Sequence, residues 1–294
     1  MKLVLFGNKY TTKLLLQHLI RKDFKPHTLV TLDSNLLKKS NISGAENSLI
    51  DFAMENKIKV FKPKSYSLSD TEDINFFIKN NFDVGLCTGW QRLIPGKILE
   101  SVNYGIFGWH GSGFEFPNGR GRSPINWSIR IGLKSIFHNC FQYNNGIDDG
   151  KIFDTKEIEI EDNEYIDKVI AKALNHIKES SVKLLEELSK NNLVLREQCN
   201  HTFLNFPKLS EKDGVLIQSM SSQYAFNVVR SCSRPFPGAF IFTPDNEKIR
   251  IWSMKLCKDQ LSDKELKRFI FFKENVLYLR FKDGLFSSED YEKA

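Results

Sequence analysis

The chain has 294 residues, 41% hydrophobic and 27% charged, which is typical of a globular protein long enough for two domains and able to fold without disulfide or metal support. Its net charge of +6 comes from interleaved basic and acidic residues, a pattern that suits a small anionic ligand at least as well as a nucleic acid. The five cysteines lie far apart and no stretch approaches the roughly 18 apolar residues of a membrane helix, so we expect a cytoplasmic protein without a disulfide framework, a metal site or a membrane span.

The first half of the chain alternates short apolar segments with amphipathic ones. Buried strands are predicted at 3–6, 28–32, 58–61 and 83–87, with helices over 44–56 and 70–80 between them. Strands separated by helices predict an α/β fold with a doubly wound, Rossmann-like parallel sheet. Because ligands of such sheets gather beyond the carboxyl ends of the strands, we expect the chemistry in the loops after Phe6, Cys87 and Trp109.

The second half changes character after a long amphipathic helix predicted over 164–190. Polar stretches around 205–214 resemble a linker, and short strands separated by turns follow them. We therefore predict an α/β domain over 1–195 that holds the site, a linker over 196–212 and a smaller β-rich, OB-like domain over 213–294.

The residues best suited to chemistry lie between positions 105 and 150. His110 comes at the end of an apolar segment, and Asp148 follows the next predicted strand. These strands are expected to be neighbours, so a carboxylate can lie beside the imidazole. An imidazole can move a proton near neutral pH, and a carboxylate can fix its tautomer and stabilise its cationic form.

Several stretches together resemble the formyltransferases that use N10-formyltetrahydrofolate. Motifs of that family are matched by His110-Gly111-Ser112, Arg120-Gly121-Arg122-Ser123-Pro124 and Gly146-Ile147-Asp148-Asp149-Gly150. Upstream, Gly89-Trp90-Gln91-Arg92-Leu93-Ile94-Pro95 matches the stretch whose backbone holds the pterin ring in the family. Downstream, residues 229–240 resemble the Arg…Pro-x-Pro-Gly-Ala-Phe segment of the family's second domain. The resemblance spans nearly the whole chain.

The resemblance implies a role for each matched residue. His110 is expected to be the catalytic base and Asp148 its partner, with Asp149 as the alternative carboxylate. N10-formyltetrahydrofolate is expected to be the cosubstrate, bound by Gly89, Trp90, Gln91, Arg92, Leu93, Ile94, Gly146 and Ile147. Substrate contacts are expected from Asn8, Ser112, Arg120 and Arg122. The alternatives are a core role for Trp90 and surface ion pairs for the two arginines.

One position departs from the family pattern. The family's catalytic Asn lies two residues before the His, where this chain has Gly108. That Asn is thought to hold the formyl oxygen as it becomes an oxyanion, and loss of one such donor can cost about 10²–10³ in rate. Candidate replacements are Asn118, Asn126, Asn103 and the backbone N–H groups of the glycine-rich loop, and the sequence does not choose among them.

Three functions stay open at this point. The leading one is transfer of the formyl group to the amine of a nucleotide-linked amino-deoxy sugar for surface polysaccharide synthesis, because residues 235–240 resemble the sugar-modifying branch. The second is methionyl-tRNA formylation, and the third is a hydrolase or binding protein on the same scaffold, which the glycine at 108 keeps open. We expect a small-molecule nucleotide-sugar partner, no nucleic-acid partner and no membrane; homodimers are common in the sugar-modifying branch.

Overall fold

The computed structural model describes residues 1–40, 42, 44–199, 204–257 and 268–293. A seven-stranded sheet organises the first part of the chain, in the spatial order β3-β2-β1-β4-β5-β7-β8. The first five of these strands are parallel, and β7 and β8 are antiparallel to their neighbours. The strands are β1 (Leu3–Phe6), β2 (Thr28–Val30), β3 (Lys59–Phe61), β4 (Val84–Cys87), β5 (Ile106–Ser112), β7 (Ser135–Gln142) and β8 (Ile152–Glu159).

Helices cover both faces of this sheet. Alternate residues of β1 enter different cores, with Leu3 and Leu5 in one cluster and Val4 and Phe6 in the other. The helices of this part are α1 (Tyr10–Arg21), α2 (Ser34–Ser40), α3 (Leu49–Glu55), α4 (Thr71–Asn80), α5 (Gly96–Leu99), α6 (Pro124–Arg130) and α7 (Ile166–Ser189). A further helix, α8 (Ser222–Cys232), belongs to the C-terminal part. Within the described ranges, no helix combines the length and apolar character needed to cross a bilayer.

The C-terminal part is built from antiparallel strands. One sheet contains β10 (Ala239–Phe242), β11 (Lys248–Ile251) and β16 (Tyr291–Lys293). The other contains β12 (Lys255–Leu256), β13 (Ile270–Lys273), β14 (Val276–Arg280) and β15 (Leu285–Ser288). These strands share a core with α8, in which Val228, Ile241 and Leu277 are buried. The prediction of a doubly wound α/β sheet with a smaller β-rich C-terminal part is therefore confirmed.

Two details of the predicted fold were wrong. The helix expected over 44–56 begins only at Leu49, since residues 44–48 form turns and an isolated bridge. His110 was expected in a loop but lies within β5. The strand continues past its last parallel partner because β7 pairs with it as far as Ser112, whereas β4 pairs only as far as Gly108.

The stretch predicted as a linker, residues 196–212, contacts the first part of the chain. Arg196 forms a bridge with Ile152, and β9 (Asn205–Phe206) pairs with β6 (Arg120–Gly121). Residues 200–203 lie outside the described residues. This stretch therefore runs close to the loops that carry the expected chemistry. The predicted domain boundaries remain predictions.

Candidate active site

His110 lies on β5 with an acceptor beside each ring nitrogen. Nε2 lies 2.7 Å from the carbonyl oxygen of Gly119, and Nδ1 lies 3.4 Å from Oδ2 of Asp148. The imidazole is buried and stacks on Phe116, with ring centroids 5.2 Å apart. A protonated imidazole offers an N–H to each of these two acceptors. The surroundings therefore suit a ring that gains a proton during a reaction.

Asp148 is held by bonds from outside its own loop. Its φ of 51° is in the left-handed region, which is costly for a residue other than glycine. Its Oδ2 accepts from the backbone N–H of Gly121 at 3.2 Å, and its carbonyl oxygen accepts from Nε2 of Gln198 at 2.8 Å. Gln198 also donates to the carbonyl of Gly150 and accepts from Arg120. Gln198 lies in the predicted linker and is not part of any recognised motif, so the sequence analysis did not identify it as a site residue.

A cavity of about 400 Å³ opens beside Asp148. Seven of the eight residues predicted to bind the folate line it: Trp90, Gln91, Arg92, Leu93, Ile94, Gly146 and Ile147. Leu93 and Ile147 leave 63% and 58% of their surface exposed, an apolar area that a flat ring system can cover. Arg122 lines the same cavity and adds a positive charge. The apolar residues of this cavity fit a pterin ring.

A second cavity, of about 300 Å³, is lined by His110 and by Gly89, the eighth of the predicted folate residues. Its other walls include Asn126, His138 and Phe236, the last contributed from beyond the long helix α7. Trp90 and Tyr143 line both cavities and form the wall that the two share. A group bound at this wall is near both His110 and Asp148.

Tyr143 is the second functional candidate that the sequence did not reveal. A Cβ atom built on Gly108 would lie 2.2 Å from the Tyr143 hydroxyl oxygen, so the ring occupies the space beside that glycine. Burial raises the pKa of the Tyr143 phenol well above its usual value, and the neighbouring Cys87 and Asp148 raise it further. A lone tyrosine after a strand has no recognisable motif, and the glycine at 108 was the only available hint.

The four predicted substrate contacts fall in different surroundings. Asn8 and Ser112 are buried, Asn8 accepting from Thr31 and from the backbone of Leu32, and Ser112 from the backbone of Phe114. Arg120 is also buried, whereas Arg122 lines the first cavity. Of the four, only Arg122 lines either cavity, and the other three roles stay predictions.

The predicted replacement donors are bonded to backbone or side-chain partners. Oδ1 of Asn118 accepts from the backbone of Leu204 at 3.1 Å. Nδ2 of Asn126 donates to the carbonyl of Ser231 at 2.7 Å, and Nδ2 of Asn103 donates to Asp83 at 3.1 Å. The Asn126 bond joins α6 to the C-terminal helix α8, which is a structural task.

A buried row of polar groups lies behind His110. Nδ1 of His138 and Nδ1 of His176 are 2.8 Å apart, and Nε2 of His176 lies 2.9 Å from Asp154. Burial lowers the pKa of His138 well below its usual value, and the nearby His176 and His110 lower it further. Burial also lowers the pKa of His176, against the opposing effect of Asp154. Both imidazoles are therefore expected to be neutral at neutral pH.

Two known proteins resemble this chain in sequence over most of its length. The chain is 27% identical over 258 residues to the bifunctional polymyxin resistance protein ArnA of Wigglesworthia glossinidia brevipalpis, covering 87% of this chain and 38% of that protein. It is 24% identical over 227 residues to the methionyl-tRNA formyltransferase of Buchnera aphidicola subsp. Acyrthosiphon pisum, covering 77% of this chain and 70% of that enzyme. The chain thus spans well under half of the first relative.

Solved structures share the fold at low identity. An N-formyltransferase from Helicobacter canadensis, in complex with folinic acid and dTDP-3-aminofucose, superposes with a TM-score of 0.68 at 15% identity, covering 99% of this chain and all of that one. The sugar 3N-formyltransferase WlaRD, with dTDP and 5-N-formyl-tetrahydrofolate, gives a TM-score of 0.69 at 16% identity, with 100% and 97% covered. A sequence profile described as formyl transferase matches residues 1–185, more than half of the chain. The chain belongs to the formyl transferase family.

Proposed function

We propose that this protein transfers the formyl group of N10-formyltetrahydrofolate to the amine of a nucleotide-linked amino-deoxy sugar. The observation that carries the proposal is the position of the His110–Asp148 pair at the edge of the cavity lined by the 90–94 stretch. A pterin ring in that cavity would bring its formyl-bearing end toward a base that has a carboxylate partner. The family membership supplies the reaction class, and the cavity supplies the reason for a folate.

The roles of the protein's own groups follow from their contacts. His110 accepts the proton that the amine loses as its nitrogen attacks the formyl carbon. Asp148 accepts from the Nδ1–H of His110, so the proton is received at Nε2, which exchanges its contact with the Gly119 carbonyl for the amine. The folate, when bound, supplies the formyl group on a nitrogen that can leave. Gln198 and Gly121 keep the Asp148 carboxylate in place throughout.

A nucleotide sugar is favoured as the acceptor by two cationic residues near the site. Burial lowers the pKa of Lys9, and the Arg122 guanidinium lowers it further, so the two cations are close enough to repel each other. Among the described residues, neither forms an ion pair with a carboxylate. A diphosphate near both would relieve this repulsion. The two sugar-modifying structures above, whose ligands include dTDP or a dTDP-sugar, agree with this acceptor class.

Methionyl-tRNA formylation is the second candidate, because the Buchnera relative has that name. A tRNA partner calls for a basic surface, and affinity that falls steeply with salt. Residues 213–294 hold 13 Lys and Arg against 11 Asp and Glu, a net charge of only +2. This balance favours the small-molecule acceptor.

The test is a direct comparison of acceptors with purified full-length protein and N10-formyltetrahydrofolate. UDP- and dTDP-linked amino sugars are compared with charged initiator tRNA, and formylated products are identified by mass spectrometry. We expect formylation of at least one nucleotide amino sugar and little salt dependence of its KM beyond that of a small anion. Formylation of the tRNA alone would overturn the proposed acceptor. A protein that releases formate but modifies no amine would overturn the proposed transfer.

A further inference from the structure

Formyl transfer needs a hydrogen-bond donor at the formyl oxygen. As the amine nitrogen bonds to the formyl carbon, the carbonyl π electrons move to oxygen, and that negative charge is stabilised by a positioned donor. Of the three asparagines named from the sequence, Asn126 and Asn103 already donate to other partners, and Asn118 lines neither of the two cavities. Only Asn126 among them lines either of the two cavities. The donor therefore has to be sought on the wall that the cavities share.

Tyr143 reaches this wall from the neighbouring strand. Its backbone N–H donates to Ile106 on β5 at 2.7 Å, which places the residue directly beside that strand. Its ring lies over Gly108, where a built Cβ would be 2.2 Å from Oη and 2.3 Å from Cζ. Gly108 is within β5 and its φ is not in the left-handed region, so the backbone there does not require glycine. What requires glycine is the space that the Tyr143 ring occupies.

The Tyr143 hydroxyl is suited to donate. Its burial and its neighbours Cys87 and Asp148 keep the phenol protonated at neutral pH, and the hydroxyl shares a hydrogen bond with the Cys87 thiol. A neutral thiol is a weak acceptor, which a developing oxyanion can replace. Burial raises the pKa of the Cys87 thiol to about 12, so no thiolate competes as a charged acceptor for the hydroxyl. A neutral phenol of this kind donates a strong hydrogen bond to a developing oxyanion in a site that excludes water.

We propose that Tyr143 is a catalytic residue whose O–H donates to the formyl oxygen as the amine attacks, from the space beside Gly108. The step balances as follows. The amine nitrogen bonds to the formyl carbon and loses a proton to His110, and the carbonyl electron pair moves to the oxygen held by Tyr143. When the C=O bond re-forms, the bond to the folate nitrogen breaks, and that nitrogen takes up the proton that His110 received from the amine. This inference rests on the proposed function, since it assigns a donor to that reaction.

The first experiment removes the hydroxyl and keeps the ring. For Tyr143→Phe we expect kcat to fall by about 10²–10³ while KM for the folate and its dissociation constant, measured by calorimetry, change less than threefold. The matched control is Tyr104→Phe, which removes an exposed hydroxyl before β5 and should leave kcat unchanged. A Tyr143→Phe enzyme with a kcat within threefold of wild type overturns the assignment.

The second experiment tests the shared space, independently of turnover. Gly108→Asn should lower the melting temperature, because its Cβ collides with the tyrosine ring. Tyr143→Ala should also lower it, by leaving a void. In the double variant Gly108→Asn/Tyr143→Ala, the decrease in melting temperature should be smaller than the sum of the two single decreases. The double variant should also have a higher melting temperature than Gly108→Asn alone. If the new amide supplies the donor, the double variant should also exceed Tyr143→Ala in kcat by about tenfold or more. Additive melting losses would contradict the shared space.

The two proposals fail in different ways. Loss of the formyl group from N10-formyltetrahydrofolate, as formate with water or as formohydroxamate with hydroxylamine, also passes through an oxyanion and needs no sugar. Either reaction measures release of the group. If wild type formylates no nucleotide sugar but Tyr143→Phe slows this release about 100-fold, the acceptor is wrong and the donor stands. If wild type formylates the sugar and Tyr143→Phe does so equally fast, the donor is wrong and the function stands. A wild-type protein that does neither overturns both.

Discussion

Gln198 offers a demanding test of how the candidate site is held. Its Nε2 donates to the carbonyls of Asp148 and Gly150, both at 2.8 Å, and its Oε1 accepts from Arg120. Gln198→Ala removes all three hydrogen bonds. Because Asp148 has a φ of 51°, the loop is expected to relax toward a less costly backbone when these bonds are gone. The carboxylate then moves away from the imidazole of His110.

The size of the effect follows from the bonds that are lost. Three partly exposed hydrogen bonds at about 0.5–1.5 kcal/mol each give a loss of about 1.5–4.5 kcal/mol in the free energy of unfolding. A displaced Asp148 forfeits a hydrogen bond to the charged imidazolium, worth about 1.5–3 kcal/mol. Since about 1.4 kcal/mol corresponds to a factor of ten in rate, kcat should fall by roughly 10–150-fold. The KM for the acceptor should change little, because Gln198 lines neither of the two cavities described beside His110 and Asp148.

The assay is steady-state formyl transfer, or formate release where the acceptor is unknown, alongside thermal unfolding. Gln142→Ala is the matched control, since among the described residues its side chain donates to the carbonyl of Tyr104, at 3.1 Å, and forms no hydrogen bond with the Asp148 loop. We expect its kcat to stay within twofold of wild type. A Gln198→Ala protein that is destabilised but has a kcat within threefold of wild type would refute the reasoning, because the Asp148 loop would then be self-supporting.

Three further predictions concern single side chains. His110→Asn should abolish turnover and retain folate binding by calorimetry; near wild-type turnover would show that the base is elsewhere. Arg122→Ala should raise KM for the nucleotide sugar about tenfold and change kcat little, with Arg122→Lys intermediate; an unchanged KM would remove Arg122 from acceptor binding. Burial holds the pKa values of His138 and His176 below the usual value of about 6.5. Below that pH the unfolded chain therefore binds more protons than the folded one, and the free energy of unfolding should decline as the pH drops from about 6.5. Urea unfolding should show a smaller decline between pH 7 and 5.5 in His138→Phe than in wild type, and an equal decline would assign it to other groups.

Much of the fold follows from local patterns in the sequence. The alternating residues of β1 enter two separate cores, which is what a short, wholly apolar segment between helices predicts. The direction of β7 could not be obtained this way, because an antiparallel strand after a short helix has the same apolar pattern as a parallel one. That direction matters, since it extends β5 and puts His110 inside a strand.

The candidate site was predictable where it consists of contiguous motifs. The 90–94 stretch and the Gly146–Asp148 turn come together at one cavity, as their motifs indicated. Gln198 was not predictable, because its contacts depend on where the chain returns after α7, and no local pattern encodes that return. Asn8 and Ser112, which were predicted to contact the substrate, form hydrogen bonds within the protein instead of lining either cavity. A polar residue at the end of a strand has the same sequence pattern in either role.

The relation between Gly108 and Tyr143 has a wider consequence for interpreting a missing catalytic residue. In the β5–β7 register Gly108 faces Phe141, so Tyr143 lies two residues further along the chain, just past the end of β7. Diagonal neighbours of this kind are close enough for a large side chain to cover the position opposite. A donor lost from one strand can therefore be supplied by the next strand at nearly the same point in space, provided that the first position is glycine. The absence of a side chain at 108 is then the condition for another donor, and it is not in itself evidence that the chain has lost the chemistry.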